Sequence, residues 1–206
     1  MIVDIGTGDG RAVLARAAAE PAALVVGIDA SAPAMADASR RADRRGPPNA
    51  LFLAAGVEAL AASPLTARAD LVTVLFPWGS LLHGALGLDE RALDGIASQL
   101  VPGGRLEVLA SVVPSDGVAG LACLDLNTEP AICRAWSVVG LELTTMRLAT
   151  PEDLAASGST WARRLGAARG HRAADGRDAG RDAGRATGDV RPVWRVEGVR
   201  SASIGT

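Results

Sequence analysis

The 206-residue chain has no lysine and no tyrosine, only two cysteines and two histidines, and 3% aromatic residues. All 21 positive side chains are arginine, a compositional bias that says nothing about fold. Cys123 and Cys133 are too far apart for a C-x-x-C site and have no histidine cluster beside them. That spacing indicates neither a metal centre nor a redox pair, so both are expected to be reduced packing residues. No run approaches the ~18 uninterrupted apolar residues of a membrane span. The N-terminus also lacks the charged start, apolar core and cleavage pattern of a secretion signal. A cytoplasmic protein with no membrane partner is expected.

With 49% hydrophobic residues, a chain of this length can bury a real core in one domain. The net charge of -2 hides an asymmetry, since residues 1–162 hold 11 Arg against 18 acids and 163–206 hold 10 Arg against 5 acids. A basic knot at 40–46, RRADRRG, carries Arg40, Arg41, Arg44 and Arg45 with only Asp43 opposing them. Such a patch can hold a phosphate backbone even on a slightly acidic protein, and it can equally be a solvated helix face. The composition leaves both open.

Apolar runs alternate with Ala-rich helical stretches, which points to repeated βα units and a mostly parallel sheet. Strands are expected at 1–5, 23–29, 50–56 and 69–77, with a fifth after the Pro-Gly-Gly turn at 102–104. Helices are expected at 11–19, from Ser31 as N-cap to near Gly46, at 89–100 behind Asp89, and at 129–140. A strand at 141–149 then leads to a helix capped by Thr150, with Pro151 in its first turn. Residues 167–190 repeat Arg-Asp-Ala-Gly and hold almost no large apolar side chain, so a disordered loop insertion is expected there. Alternation returns at 192–200 as a last strand.

The chain opens on VDIGTGDG, with an acid on the strand and three glycines in the turn to a helix. Glycine lets backbone approach a ligand closely, and Asp29, at the end of the next strand about 20 residues on, can accept ribose hydroxyls. NAD and S-adenosylmethionine (SAM) both use such a crossover, and a purely structural turn is the third possibility. A dinucleotide site reads G-x-G-x-x-G, but position 11 here is Arg, and Asp4 and Asp9 would crowd a pyrophosphate. The tight loop after an acid suits SAM better, because that cofactor has an ammonium group and no phosphate.

Taken in order, DIGTGDGR (4–11), FPWGSLL (76–82) and STWARRLG (159–166) resemble the kanamycin-apramycin resistance family. These aminoglycoside-resistance enzymes methylate N1 of adenine 1408 in 16S ribosomal RNA. The resemblance covers nearly the whole chain and implies a class I SAM-dependent methyltransferase fold, with seven strands and an antiparallel last strand. It also implies SAM as cofactor and the decoding-site helix of the 30S subunit as partner. Trp78 and Trp161 would clamp the target base, with Phe76 and Pro77 beside its amino group. Asp4, Gly6, Thr7, Gly8, Asp29 and Leu75 would line SAM, with Ala30, Ala55, Val57 and Glu58 near its adenine and Ser159 or Thr160 closing over it. Arg163 and Arg164, together with the cluster from Arg40 to Arg45, would hold RNA phosphates, whereas Trp136 and Trp194 are read as core. The family's N-terminal hairpin is expected to be absent, and a monomer of one domain over 1–206 is expected. Two other readings stand beside this one, a SAM-dependent enzyme acting on a small natural product and a SAM- or RNA-binding protein without turnover.

Overall fold

The structure, a computed structural model, describes residues 1–162 and 191–202. Its centre is a seven-stranded sheet in the order β3-β2-β1-β4-β5-β7-β6. The strands are β1 (Ile2–Ile5), β2 (Val25–Asp29), β3 (Ala50–Ala54), β4 (Ala69–Leu75), β5 (Leu100–Ala110), β6 (Leu141–Leu148) and β7 (Trp194–Arg200). The first five pair in parallel, and β7 runs antiparallel to both β5 and β6. This is the mostly parallel sheet with an antiparallel last strand that the sequence leads one to expect. The order reverses between β1 and β4, and ligands bind at such a switch point, beyond the carboxyl ends of the strands.

Strand β1 is buried along its whole length, as its run of Ile and Val requires. On one sheet face, α3 (Gly79–Ala85), α4 (Glu90–Ala97) and α5 (Glu129–Val138) bury Val72, Val74, Leu93, Ile96 and Trp136 with Val3 and Ile28. On the other, α1 (Arg11–Ala19) and α2 (Ala32–Arg45) cover a smaller cluster that includes Val13, Ala17, Val25 and Leu71. Trp136 is fully buried and donates from its indole nitrogen to the Ala85 carbonyl at 3.0 Å, and Trp194 is buried in β7. Both are core residues, as expected. Among the described residues no helix is long and apolar enough to cross a membrane.

Asp89 caps α4 by accepting from the Ala92 N–H at 3.0 Å. Thr150 caps α6 (Pro151–Ala156) in a capping box with Asp153. Ser31 occupies the N-cap of α2 without a side-chain cap bond, and its own N–H is instead held by Asp29 at 2.8 Å.

The expected helix over 89–100 stops at Ala97, and the Pro-Gly-Gly turn lies inside β5. The carbonyls of Ser98 and Gln99 accept from the N–H groups of Ala67, Arg68 and Ala69, which draws this stretch into the sheet before a further helical turn can form. Pairing with β4 then jumps from Ala69–Leu100 to Leu71–Arg105, and left-handed Gly103 (φ 78°) carries the bulge. The insertion read over 167–190 lies outside the described residues, as do Arg163 and Arg164.

Candidate active site

The turn from β1 to α1 places three glycines in the left-handed region, Gly6 (φ 77°), Gly8 (φ 56°) and Gly10 (φ 68°). At Gly10 a Cβ would sit 2.5 Å from the Ala38 Cβ and 2.6 Å from the Phe52 ring, so α2 and β3 lock this end of the loop. At the end of β2, Asp29 accepts from the Gly8 N–H at 2.8 Å through one oxygen and from Ser31 through the other. Its carboxylate is thereby fixed at the cleft rim, with lone pairs left for ligand hydroxyls.

Asp4 is buried on β1 directly opposite Thr73 of β4, whose hydroxyl donates to it at 2.6 Å. Burial pushes the Asp4 carboxyl up from its usual 3.8 to about 6, with the Thr73 hydrogen bond opposing the shift. The Thr7 hydroxyl is buried beside the Asp4 carboxyl. A buried acid, a buried hydroxyl and a glycine-cradled backbone are the groups that a ligand with an ammonium end and ribose hydroxyls would satisfy. The surrounding cleft, of about 400 Å³, lies within the range of cofactor sites.

Beyond β4 the chain turns through Phe76, a non-glycine residue at φ 54°, whose N–H donates to the Leu109 carbonyl at 2.7 Å. Such a conformation costs about 1–3 kcal/mol and persists only where the surroundings enforce it. Here it carries Pro77 and Trp78 to the mouth of the cleft. Trp161 arrives from the segment after α6, and the two ring centroids lie 6.4 Å apart with planes inclined at 49°. Trp78 is 53% exposed and Trp161 45%, too open for either indole to be a core plug. One small apolar cluster seats both walls, since Phe76 packs against Leu109, Leu154, Ala162 and Val193.

The cleft gathers Asp4, Gly6, Thr7, Gly8, Asp29, Leu75, Phe76, Pro77, Trp78, Ser159, Thr160 and Trp161 on one continuous surface. Of the described residues expected at the cofactor or the base, Ala30, Ala55, Val57 and Glu58 are outside that lining. Val57 turns its side chain into the core, Ala55 donates its N–H to the Asp29 carbonyl at 3.0 Å, and Glu58 is hydrogen-bonded to Ser80. Ala30 is exposed just past β2. Arg40, Arg41, Arg44 and Arg45 are all exposed along the last turns of α2. His83, which carries no assigned role, sits in α3.

Arg191 belongs to the site, although nothing in the pattern of residues singles it out among so many arginines. Its guanidinium carbon lies 5.8 Å from the Trp78 ring centroid. It donates to Asp116 at 2.8 Å and to the Ser111 hydroxyl and carbonyl at 2.9 and 2.8 Å. The same guanidinium holds the Asp116 carboxyl below its usual value. Asp9 is the other addition, accepting a hydrogen bond from Thr160 across the cleft. A signal for it stood in the glycine loop itself.

The family model described as NpmA: 16S rRNA (adenine(1408)-N(1))-methyltransferase matches residues 1–179. A 16S rRNA (adenine(1408)-N(1))-methyltransferase from Streptoalloteichus tenebrarius is 33% identical over 179 residues, covering 82% of this chain and 81% of that protein. Among solved structures, a mutant 16S rRNA (adenine(1408)-N(1))-methyltransferase from Catenulisporales acidiphilia with cosubstrate SAM superposes with a TM-score of 0.76. It is 28% identical, over 100% of this chain and 87% of that one. The 16S rRNA methyltransferase KamB gives a TM-score of 0.75 at 29% identity, over 97% of this chain and 87% of that one. The agreement runs from β1 through the segment that carries Trp161, and the chain belongs to the family of 16S rRNA (adenine(1408)-N(1))-methyltransferases.

Proposed function

We propose that the chain transfers a methyl group from SAM to N1 of adenine 1408 in the 16S rRNA of the 30S subunit, and thereby confers aminoglycoside resistance. The observation that carries this reading is a single cleft with the glycine loop at one end and two half-exposed indoles at the other. A methyl donor and a flipped base would share that space.

SAM supplies an electrophilic methyl group on a sulfonium. Asp4 and the Gly6–Gly8 backbone hold its amino-acid end, and Asp29 takes the ribose hydroxyls. Ala30, Ala55, Val57 and Glu58 border its adenine through backbone, while Leu75, Ser159 and Thr160 close the remaining walls. N1 of adenine has an in-plane lone pair and no hydrogen. The new N–C bond therefore forms from that pair while the S–C bond breaks toward sulfur, and no side chain has to remove a proton. What remains for the protein is placement. Trp78 and Trp161 take the base from its stack, each face offsetting roughly 1–3 kcal/mol of unstacking. Phe76 and Pro77 present backbone carbonyls to the adenine amino group. The product base is cationic, and indole faces favour a cation.

The arginines of α2 lie roughly 12–20 Å along the helix from its cleft end. That distance is useless for a small acceptor and suits a large one that offers phosphates over a broad surface. Arg40, Arg41, Arg44 and Arg45, with Arg163 and Arg164, grip RNA phosphates and leave sequence reading to RNA shape and the clamped base. The protein works as a monomer in the cytoplasm, where ribosomes are.

Labelled SAM with purified 30S subunits, followed by primer extension through the decoding-site helix, tests the proposal. N1 methylation blocks base pairing, so a new stop at adenine 1408 is expected. SAM binding without that stop overturns the ribosomal reading in favour of a small-molecule acceptor.

A further inference from the structure

We infer that Asp9 is a positioning residue that transmits the order of the glycine loop to Trp161, a role that rests on the methyltransferase reading above. Asp9 stands between two left-handed glycines, and the second is locked by contact with Ala38 and Phe52. Its carboxylate is aimed by Arg11, whose N–H donates to it at 3.2 Å and whose guanidinium lies 3.5 Å away. Into this fixed acceptor Thr160 donates its hydroxyl at 3.0 Å, a bond between residues 151 positions apart.

Thr160 is the immediate neighbour of Trp161. Behind it the segment is anchored by Leu154 and Ala162 in the small apolar cluster, and Gly158 (φ 64°) passes close to Ala12 of α1. Those anchors leave the Trp161 ring nearly half exposed, so packing alone does not set its direction. The Asp9–Thr160 bond ties the wall that bears the indole to the loop that meets the cofactor. A ligand that orders the loop then orders the clamp, and SAM binds before the base is captured.

The test compares Asp9→Ala, Asp9→Asn, Thr160→Val, Thr160→Ser and the double variant Asp9→Ala/Thr160→Val, each in the full chain. Asp9→Ala and Thr160→Val are each expected to raise KM for 30S subunits roughly tenfold, the scale of one charge-assisted hydrogen bond. Calorimetric Kd for SAM stays within about threefold in Asp9→Ala, and the KM of the double variant is no worse than that of the worse single, as for two residues acting through one contact. Thr160→Ser keeps the donor and restores most of the loss, whereas Asp9→Asn keeps an oxygen acceptor without the charge and restores only part of it. Acrylamide quenching of the Trp161 emission in the SAM complex, taken as wild type minus Trp161→Phe, reads the link without turnover. It is expected to rise in Asp9→Ala, in Thr160→Val and, no further, in the double variant, and to stay near wild type in Thr160→Ser.

A tenfold loss of SAM affinity in Asp9→Ala would make Asp9 a cofactor ligand and overturn the inference, as would additive effects in the double variant or unchanged quenching. Wild-type protein that binds SAM but leaves 30S subunits unmethylated would sink the ribosomal reading, while the quenching series still decides the Asp9–Thr160 link.

Discussion

The rings of Trp78 and Trp161 touch one another at 6.4 Å between centroids and 49° between planes. An aromatic pair is comfortable at that distance. A base held between two parallel rings needs them about 7 Å apart, two contact distances of roughly 3.5 Å. The pair as it stands is therefore closed on itself, and on the proposed reading one ring would have to turn to admit a base. Trp78 is braced by Arg191, itself held by Asp116 and Ser111, so Trp161 would be the ring to turn, on a backbone held through Thr160.

Trp78→Ala and Trp161→Ala are each expected to lower kcat/KM for 30S subunits by roughly 5- to 150-fold, the equivalent of about 1–3 kcal/mol of stacking. Calorimetry should find SAM affinity nearly unchanged, because the glycine loop and Asp29 are untouched. Parallel loss of SAM binding would place the indoles in the cofactor pocket instead.

Asp4 links stability to pH in a direction opposite to most carboxylates. Its folded pKa, about 6, exceeds the ordinary 3.8, so between these values the folded chain binds more protons than the unfolded one. Stability should decline as pH rises through that window and stay level above it, by up to about 3 kcal/mol. Asp4→Asn is expected to raise the cofactor-free Tm at pH 7.5 by several degrees, at about 2–4 °C per kcal/mol. The gain should vanish at pH 4. The same variant should lose SAM affinity, and wild-type affinity should fall as pH drops below about 6. Thermal scans and calorimetry across pH check both.

Asp153 has the opposite sign. It accepts from Arg147 at 2.6 and 3.0 Å, from Arg195 at 3.1 Å and from the Thr150 N–H at 2.7 Å. The Arg147 guanidinium holds its carboxyl far below the usual range, so its contribution is present above pH 4 and lost as pH falls below that. Asp153→Ala should cost about 2 kcal/mol at pH 7, since it removes the carboxylate that pairs with the Arg147 guanidinium and the half of the capping box that holds the Thr150 N–H, while Thr150 still caps α6. Urea melts at pH 7 and pH 3 should show that cost shrinking in acid.

Replacing Arg40, Arg41, Arg44 and Arg45 together by alanine should raise KM for 30S subunits while leaving kcat in place. The salt dependence of binding should flatten by about 0.7–0.9 in log-log slope for each phosphate contact removed. Titrations at two or more salt concentrations provide the check. An unchanged slope would return this helix end to plain solvated surface, where late arginines already complement the helix dipole.

Local chemistry made much of this site legible. Asp4, the three glycines and Asp29 can be read because a strand, a tight turn and a second strand end follow each other within 30 residues. Trp78 is visible for another reason, since an indole beside Phe-Pro at a strand edge is poor core material, whereas Trp161 is legible only through the resemblance of its STWARRLG stretch to the family. Arg191 could not be read, because its place depends on β7 inserting between β5 and β6, which sets its side chain beside Ser111 and Asp116. Pro-Gly-Gly at 102–104 misled for a similar cause. A turn signature and a bulge signature use the same residues, and the neighbouring strand decides between them. Val57 likewise shows that a residue can border a cofactor's expected position in sequence while its side chain belongs to the core.

The buried carboxylate at Asp4 also bears on how long the protein survives in a cell. A chain that keeps an unbalanced negative charge in its sheet until a cationic ligand arrives is weaker when empty than when filled. Proteases act on the fraction that opens, and that fraction grows about tenfold for each 1.4 kcal/mol of stability lost. On the methyltransferase reading, the empty chain should therefore be cut faster by a protease than the chain saturated with SAM.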